Sequence, residues 1–168
     1  MEEVKTVLCD NFRKWFGNSL MKDSNGQPLI FLHISKSEEE IEVFDINREE
    51  SSYYGIYFTH ENRIKDFIHV GYTSNIYFQP KEYKCYLQIE NPFYIYDNHP
   101  HPNKDMLGNE LILIDPDKTY IQNIQSKGYD CIIIISSTHQ QFIIFKGNQI
   151  KSIYNNGSWL SEDDNIYN

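Results

Sequence analysis

The chain has 168 residues and a mass of 20.0 kDa, which accommodates one domain but not two independent cores. Hydrophobic residues are 40% and charged residues 23%, with 8 glycines and 6 prolines, so disordered, collagen-like and low-complexity classes are excluded. Acidic residues number 24 against 15 Lys and Arg, and the resulting net charge of -9 repels phosphate backbones and disfavours general nucleic-acid binding.

In chain order, the first expected element is a helix starting near Asp10 or Asn11, either of which could cap it. It presents Phe12, Trp15 and Phe16 on one face and stops at Gly17. Asp23, Asn25, Gly26 and Pro28 mark a turn. Leu29 to Ile34 reads as a buried strand, and Ser37 to Glu42 as a charged, solvated connection. A second strand covers Tyr53 to Thr59, where Gly55 admits a bulge or a close backbone approach. Asn62 caps a short helix carrying Ile64, Phe67 and Ile68 and ending near Gly71, and Ile76 and Phe78 belong to a short strand. Cys85, Leu87 and Ile89 alternate as a strand, which Pro92 interrupts before Phe93 to Tyr96 resume it.

Asp97 to Asn109 reads as a loop, followed by a short apolar run from Leu111 to Ile114. Asp117 caps a helix to Lys127 with Ile121 and Ile124 inward and Gly128 as its stop. Ile132 to Ile135 is a fully buried strand, and Phe142 to Phe145 is its antiparallel neighbour across a tight connection. The polar stretch after Ser152 is expected to fray. Short helices against a larger set of short strands make an α+β domain over residues 1–155, with residues 156–168 as a tail.

Cys9, Cys85 and Cys131 are dispersed, with no Cys-x-x-Cys pair, so neither a zinc knuckle nor a redox motif is present and a reducing compartment follows. The opening Met-Glu-Glu-Val-Lys lacks a signal-peptide pattern, and the apolar run Ile132 to Ile135 is too short to cross a membrane. A cytoplasmic protein with no membrane contact is expected. The 13 tyrosines, 10 phenylalanines and 2 tryptophans could fill a core, line a pocket for a flat ligand, or reflect compositional drift.

Three residues draw attention as possible chemistry. His33, at the end of its strand, is either a satisfied core or edge histidine or a donor to a ligand hydroxyl. Tyr57 is either a plain sheet aromatic or, lying opposite Ile56 and Phe58, the lining of a cleft. Gln141 begins a strand after the bend Ser136 to Gln140 and is either turn polarity or a group at a cleft mouth. As an amide it cannot serve as a general base. His60 and Glu61 are candidate rim groups. His99 and His101 could share a metal with Asp97 or Asp105, but a third fixed ligand is not evident, so no metal is assigned. Dinucleotide, Walker, nucleophile-elbow and zincin signatures are all missing.

Several blocks taken together resemble one family. They are Asn11-Phe12-Arg13-Lys14-Trp15-Phe16-Gly17-Asn18-Ser19, Asp23 to Leu29, Leu32-His33-Ile34-Ser35, Gly55-Ile56-Tyr57-Phe58-Thr59, Leu87 to Pro92, Gly128 to Ile133, and Phe142 to Ser152. In order and spacing, over about residues 11–155, they look like the ADP-ribosyltransferase domains of phage and mobile-element polyvalent proteins. Those domains are relatives of the poly(ADP-ribose) polymerase catalytic fold, the histidine–tyrosine–glutamate class. The resemblance implies a split two-sheet fold with NAD in the cleft. It implies transfer of ADP-ribose to a macromolecule, as a single unit where Gln141 stands for the acid that chain growth needs, and the acidic charge favours protein over nucleic acid as acceptor. A toxin, an immunity-evading effector and a host-takeover factor are all open as its role, with or without delivery into a host or target cell.

On this resemblance His33 matches the histidine that contacts the nicotinamide ribose, and Tyr57 the tyrosine that packs beside the nicotinamide. Ile34 and Ser35 stand where the family usually has glycine and threonine, and Phe67 and Tyr72 are candidates for a second stacking aromatic. The family glutamate falls on Gln141. A glutamine could hold the ribose hydroxyl but would not stabilise a developing oxocarbenium charge. The alternative is therefore a catalytically weak or silent module that recognises ADP-ribose or a partner protein.

Overall fold

The computed structural model describes residues 9–35, 37–46, 54–63, 80–97, 101–111, 117–137 and 140–168. The expected helix from Asn62 to Gly71 beyond its first residues, the strand of Ile76 and Phe78, the candidates Phe67 and Tyr72, and His99 lie outside the described residues. Nine strands form one sheet among the described residues: β1 (Phe31–Ser35), β2 (Ile56–His60), β3 (Lys81–Leu87), β4 (Pro92–Tyr96), β5 (Asn103–Asp105), β6 (Glu110–Leu111), β7 (Cys131–Ile135), β8 (Gln140–Ile144) and β9 (Ile150–Ser152). Among the described residues two α-helices accompany them, α1 (Asp10–Phe16) and α2 (Lys118–Ser126). The α+β reading holds.

The strand order is β6-β5-β4-β7-β8-β2-β1-β3-β9. Its seam is weak. β1 and β2 share only the antiparallel pairs Phe31–His60 and Leu32–Thr59, whereas β1 and β3 pair along all of β1 and β7 pairs β8 along both strands. The sheet thus divides into a half of six strands ending at β2 and a half of three strands beginning at β1. β4 and β7 are parallel neighbours, which demands a crossover, and α2 lies within it.

Two apolar clusters occupy the structure. The first joins Phe12, Trp15 and Phe16 of α1 to Phe31, Cys85, Leu87, Phe58, Phe142 and Ile144, so both half-sheets contribute to it. The second joins Ile121 and Ile124 of α2 to Phe93, Ile95, Ile132, Ile134 and Ile143. β7 has buried residues in both clusters, because alternate side chains face opposite sides of a sheet covered on both. Its uninterrupted apolar run reflects that.

Local differences from expectation have local causes. Cys9, not Asp10 or Asn11, caps α1, its sulfur accepting from the Phe12 amide at 3.4 Å. β3 ends at Leu87 because Ile89 turns to the chain after α1: its amide donates to Ser19 Oγ at 3.1 Å and its carbonyl accepts from Leu20 at 2.7 Å. The expected loop from Asp97 to Asn109 contains β5. There the Asp105 carboxylate accepts the amides of Leu107 and Asn109, both at 2.9 Å, and tightens the turn into β6.

The tail corrects the reading of the C-terminus. Trp159 is 4% exposed and packs edge-on or tilted against Phe12, Trp15 and Tyr86 in the first core, and Ile166 is fully buried. Lys151 Nζ, within a fully buried residue, donates to the carbonyls of Asp163 and Asn165, both at 2.8 Å. The segment expected to fray belongs to the domain: two large apolar side chains and one buried cation outweigh its polar composition.

Candidate active site

The seam between β1 and β2 is where the candidate residues meet, and backbone parity explains how. The Ile30 carbonyl accepts from the Glu61 amide at 3.2 Å, so Ile30, Leu32 and Ile34 direct their peptide groups toward β2. The ladder stops after the Leu32–Thr59 pair. The next rung would join Ile34 to Tyr57. Instead the Tyr57 carbonyl accepts from His33 Nδ1 at 2.9 Å. A side chain has taken the place of a backbone donor, and the Ile34 peptide groups fall past the last rung.

Donation from Nδ1 sets the tautomer. A carbonyl oxygen can only accept, so Nδ1 carries the proton and Nε2 is the acceptor of the neutral ring. The imidazole is held among aromatic rings: Phe44 at 4.8 Å edge-on, Phe58 at 5.5 Å and Tyr83 at 6.3 Å. All three belong to the first core.

Tyr57 pairs with Ile143 of β8 and packs against the second core. Ile56 and Phe58 belong to the first core, so the expected alternation is present, but Tyr57 meets a covered face rather than open solvent. Gln141 is half-buried, pairs with Ile134, and shares the face of Ile143 two residues on. Gly55 makes this neighbourhood possible. Its φ is +88°, and a Cβ there would meet Ile143 Cγ2 at 2.7 Å and the Ile144 carbonyl at 3.2 Å. The close-approach reading of Gly55 is the one observed.

His33, Tyr57 and Gln141 therefore stand on the consecutive strands β1, β2 and β8. The link from His33 to Tyr57 runs through a main-chain oxygen. Tyr57 and Gln141 share the second-core side, while the His33 ring lies in the first core, so the sheet edge at the seam separates them. The three side chains thus stand on the two sides of a fork in the sheet. Ser35 is buried, and its Oγ accepts the Ser37 amide at 3.0 Å, which commits it to the turn after β1. His60 lies edge-on to Phe31 at 5.7 Å, and its Nδ1 accepts from the Asn62 amide at 3.2 Å.

Residue reading alone missed Phe44, Tyr83 and the Tyr57 carbonyl. Phe44 sits in a charged connection, and its only signal was one aromatic amid acids. The buried thiols offer no nucleophile, since burial pushes those of Cys85 and Cys131 well above their ordinary value. A hollow of about 320 Å³ bordered by Gln88, Tyr129, Asp130, Lys146 and Gln149 lies at the opposite ends of β7 and β8 from Gln141. Its polar groups brace the fold: Asp130 accepts the amides of Glu90 and Asn91, and Gln149 donates to the carbonyls of Gln88 and Asp130.

A family model described as ADP-ribosyltransferase in polyvalent proteins matches residues 23–160. No curated protein and no solved structure matches the chain. The matched stretch contains all nine strands and the whole β1–β2–β8 fork. Together with the α+β architecture, that coverage places the chain in the family of ADP-ribosyltransferases of polyvalent proteins.

Proposed function

We propose that this protein transfers a single ADP-ribose unit from NAD to a protein side chain, with the fork between β1 and β2 as its NAD site. ADP-ribosyltransferase domains use NAD as their substrate, and the family membership supports ADP-ribosyl transfer in general. The observation that carries the finer reading is the broken rung at His33. It leaves the Ile34 amide and carbonyl past the ladder, a donor and an acceptor suited to a carboxamide such as that of nicotinamide. A backbone pair does not need glycine at position 34 unless the ring must come closer than an isoleucine Cβ permits.

In the reaction the bond between nicotinamide nitrogen and ribose C1′ breaks, and nicotinamide leaves with the bonding electrons. The acceptor nucleophile attacks C1′ and gives its proton to a base. His33 accepts a ribose hydroxyl through Nε2, and Tyr57 packs beside the nicotinamide. Gln141 hydrogen-bonds the ribose without bringing a negative charge, so the developing positive charge at C1′ receives less stabilisation than a carboxylate would supply. Loss of such a charge costs about 10²-fold in rate. Chain elongation needs the acid to activate a ribose hydroxyl, and an amide cannot take that proton. The product is therefore a single unit. The net charge of -9 favours a protein acceptor over a polyanion.

A second reading rests on Gln141 itself: a binding module that keeps the fork and recognises ADP-ribose or a partner protein. One experiment separates the two. Incubation with NAD and candidate acceptors, followed by mass spectrometry, should give adducts of one ADP-ribose mass and released nicotinamide. A ladder of repeating masses overturns single transfer. Binding without nicotinamide release selects the module. Calorimetry should show weaker NAD binding in His33→Ala, and unchanged binding there removes the fork from the site.

A further inference from the structure

We infer that Phe44 is a positioning residue for His33, and that the C-terminal residues 163–168, beyond the stretch matched by the family, hold it in place. The inference deepens the proposed function and rests on its reading of His33 as the ribose-contacting group.

The ring bonded to the Tyr57 carbonyl needs a fixed orientation. A histidine flipped about its outer torsion exchanges Nδ1 for a carbon, losing that bond and presenting the wrong edge to a hydroxyl. Phe58 and Tyr83 come from β2 and β3, and the sheet sets their places. Phe44 is different. It is 6% exposed and meets the imidazole at 4.8 Å and 75°, yet it belongs to segment 37–46, which lies outside the nine strands.

Next to Phe44, that segment is held by the tail. The Ile166 carbonyl accepts from the Ser152 amide of β9, and the Ile166 amide donates to the Glu42 carbonyl, both at 2.8 Å. Val43 and Asn165 form an antiparallel bridge. Tyr167 donates its hydroxyl proton to Glu40 Oε1 at 2.8 Å. Lys151 grips the Asp163 and Asn165 carbonyls from beneath. The tail is thus an adaptor, tied to β9 on one side and to residues 40–43 on the other. β3 ties the segment as well: the Tyr83 hydroxyl accepts from the Ile41 amide at 2.9 Å, and Lys81 Nζ donates to the Glu38 carbonyl at 2.6 Å and pairs with Glu40 Oε2 at 3.7 Å. Contact runs unbroken from Lys151 through Asn165 and Val43 to Phe44 and on to the His33 ring.

The test reads the histidine directly. Nitrogen-15 NMR of the full chain without NAD should show His33, assigned by its loss in His33→Ala, as the Nδ1–H tautomer. Phe44→Ala should mix the two tautomers and raise KM for NAD about tenfold with a smaller change in kcat, and Phe44→Tyr should restore both. Truncation after Glu162 should reproduce the Phe44→Ala signature. If the truncated chain does not fold, Ile166→Pro decides, because it removes the amide given to Glu42 and keeps the carbonyl given to Ser152. A wild-type tautomer in Phe44→Ala overturns the role of Phe44. A wild-type tautomer in both tail variants, or in Ile166→Pro alone if the truncated chain is unfolded, overturns the role of the tail. Because the NMR measurement uses no NAD, either failure stands apart from failure of the NAD reading, which shows as unchanged NAD binding in His33→Ala.

Discussion

The imidazole of His33 substitutes for a backbone rung, and that exchange gives each nearby residue its meaning. Gln141 lies on the neighbouring face with an amide where an acid is expected from the resemblance. Gln141→Glu should raise NAD hydrolysis about tenfold or more, while Tyr57→Ala should abolish transfer more completely than Gln141→Ala. Nicotinamide release, followed by chromatography, checks both. Tyr120 allows a cleaner test of burial. Its hydroxyl is buried with no hydrogen-bond partner among the described residues, and burial, helped by nearby Asp105, pushes its pKa up to about 12. The folded protein keeps a proton that the unfolded chain sheds near the ordinary value of 10.0, so stability is lost as pH rises from that value to about 12. Tyr120→Phe should remove this alkaline loss and raise stability at neutral pH by about 1 kcal/mol. Urea unfolding at a series of pH values reads both effects.

At the scale of elements, the contact of β2 with β8 depends on a residue outside either strand. Gly55→Ala meets both a positive φ and a Cβ lodged against Ile143. It should cost about 3 kcal/mol in chemical denaturation, since the obstacle includes the Ile144 carbonyl as well as a side chain. Helix stops and buried strands were legible because they are local. α2 follows its cap, its inward isoleucines and its closing glycine almost as read, and β7 follows from its isoleucine run. The end of β3, the strand β5 and the cap of α1 were not, because each depends on a partner distant in sequence or on a sulfur acting as an acceptor. The tail was misread for a related reason. Composition weighs its many Asn and Asp, whereas folding weighs where Trp159 and Ile166 are buried.

At the scale of the whole molecule, the two halves of the sheet meet at β1 and β2 through two paired rungs. If NAD occupies the fork, its carboxamide bonds the Ile34 peptide, and both half-sheets are held together. Hydrogen exchange should then show the Ile34 amide protected on NAD addition, with little change at Ile133 in the fully paired β7. Equal protection across the sheet would point to general stabilisation and away from the fork.

By itself the sequence determined the α+β class, most helix and strand positions, a bulge or close backbone approach at Gly55, and the resemblance that the family match bears out. These follow from periodicity, caps and backbone freedom, which act over a few residues, and from an order of blocks that a chain carries whether or not it is folded. Only the tertiary structure decided that β1 and β2 part after two rungs, that His33 bonds the Tyr57 carbonyl, that Phe44 packs against its ring, and that Val43 beside Phe44 bridges to Asn165 of the tail. Those depend on which strands lie side by side and in what register. A one-residue slip in that pairing would turn every side chain to the other face, and no local pattern of residues specifies that choice.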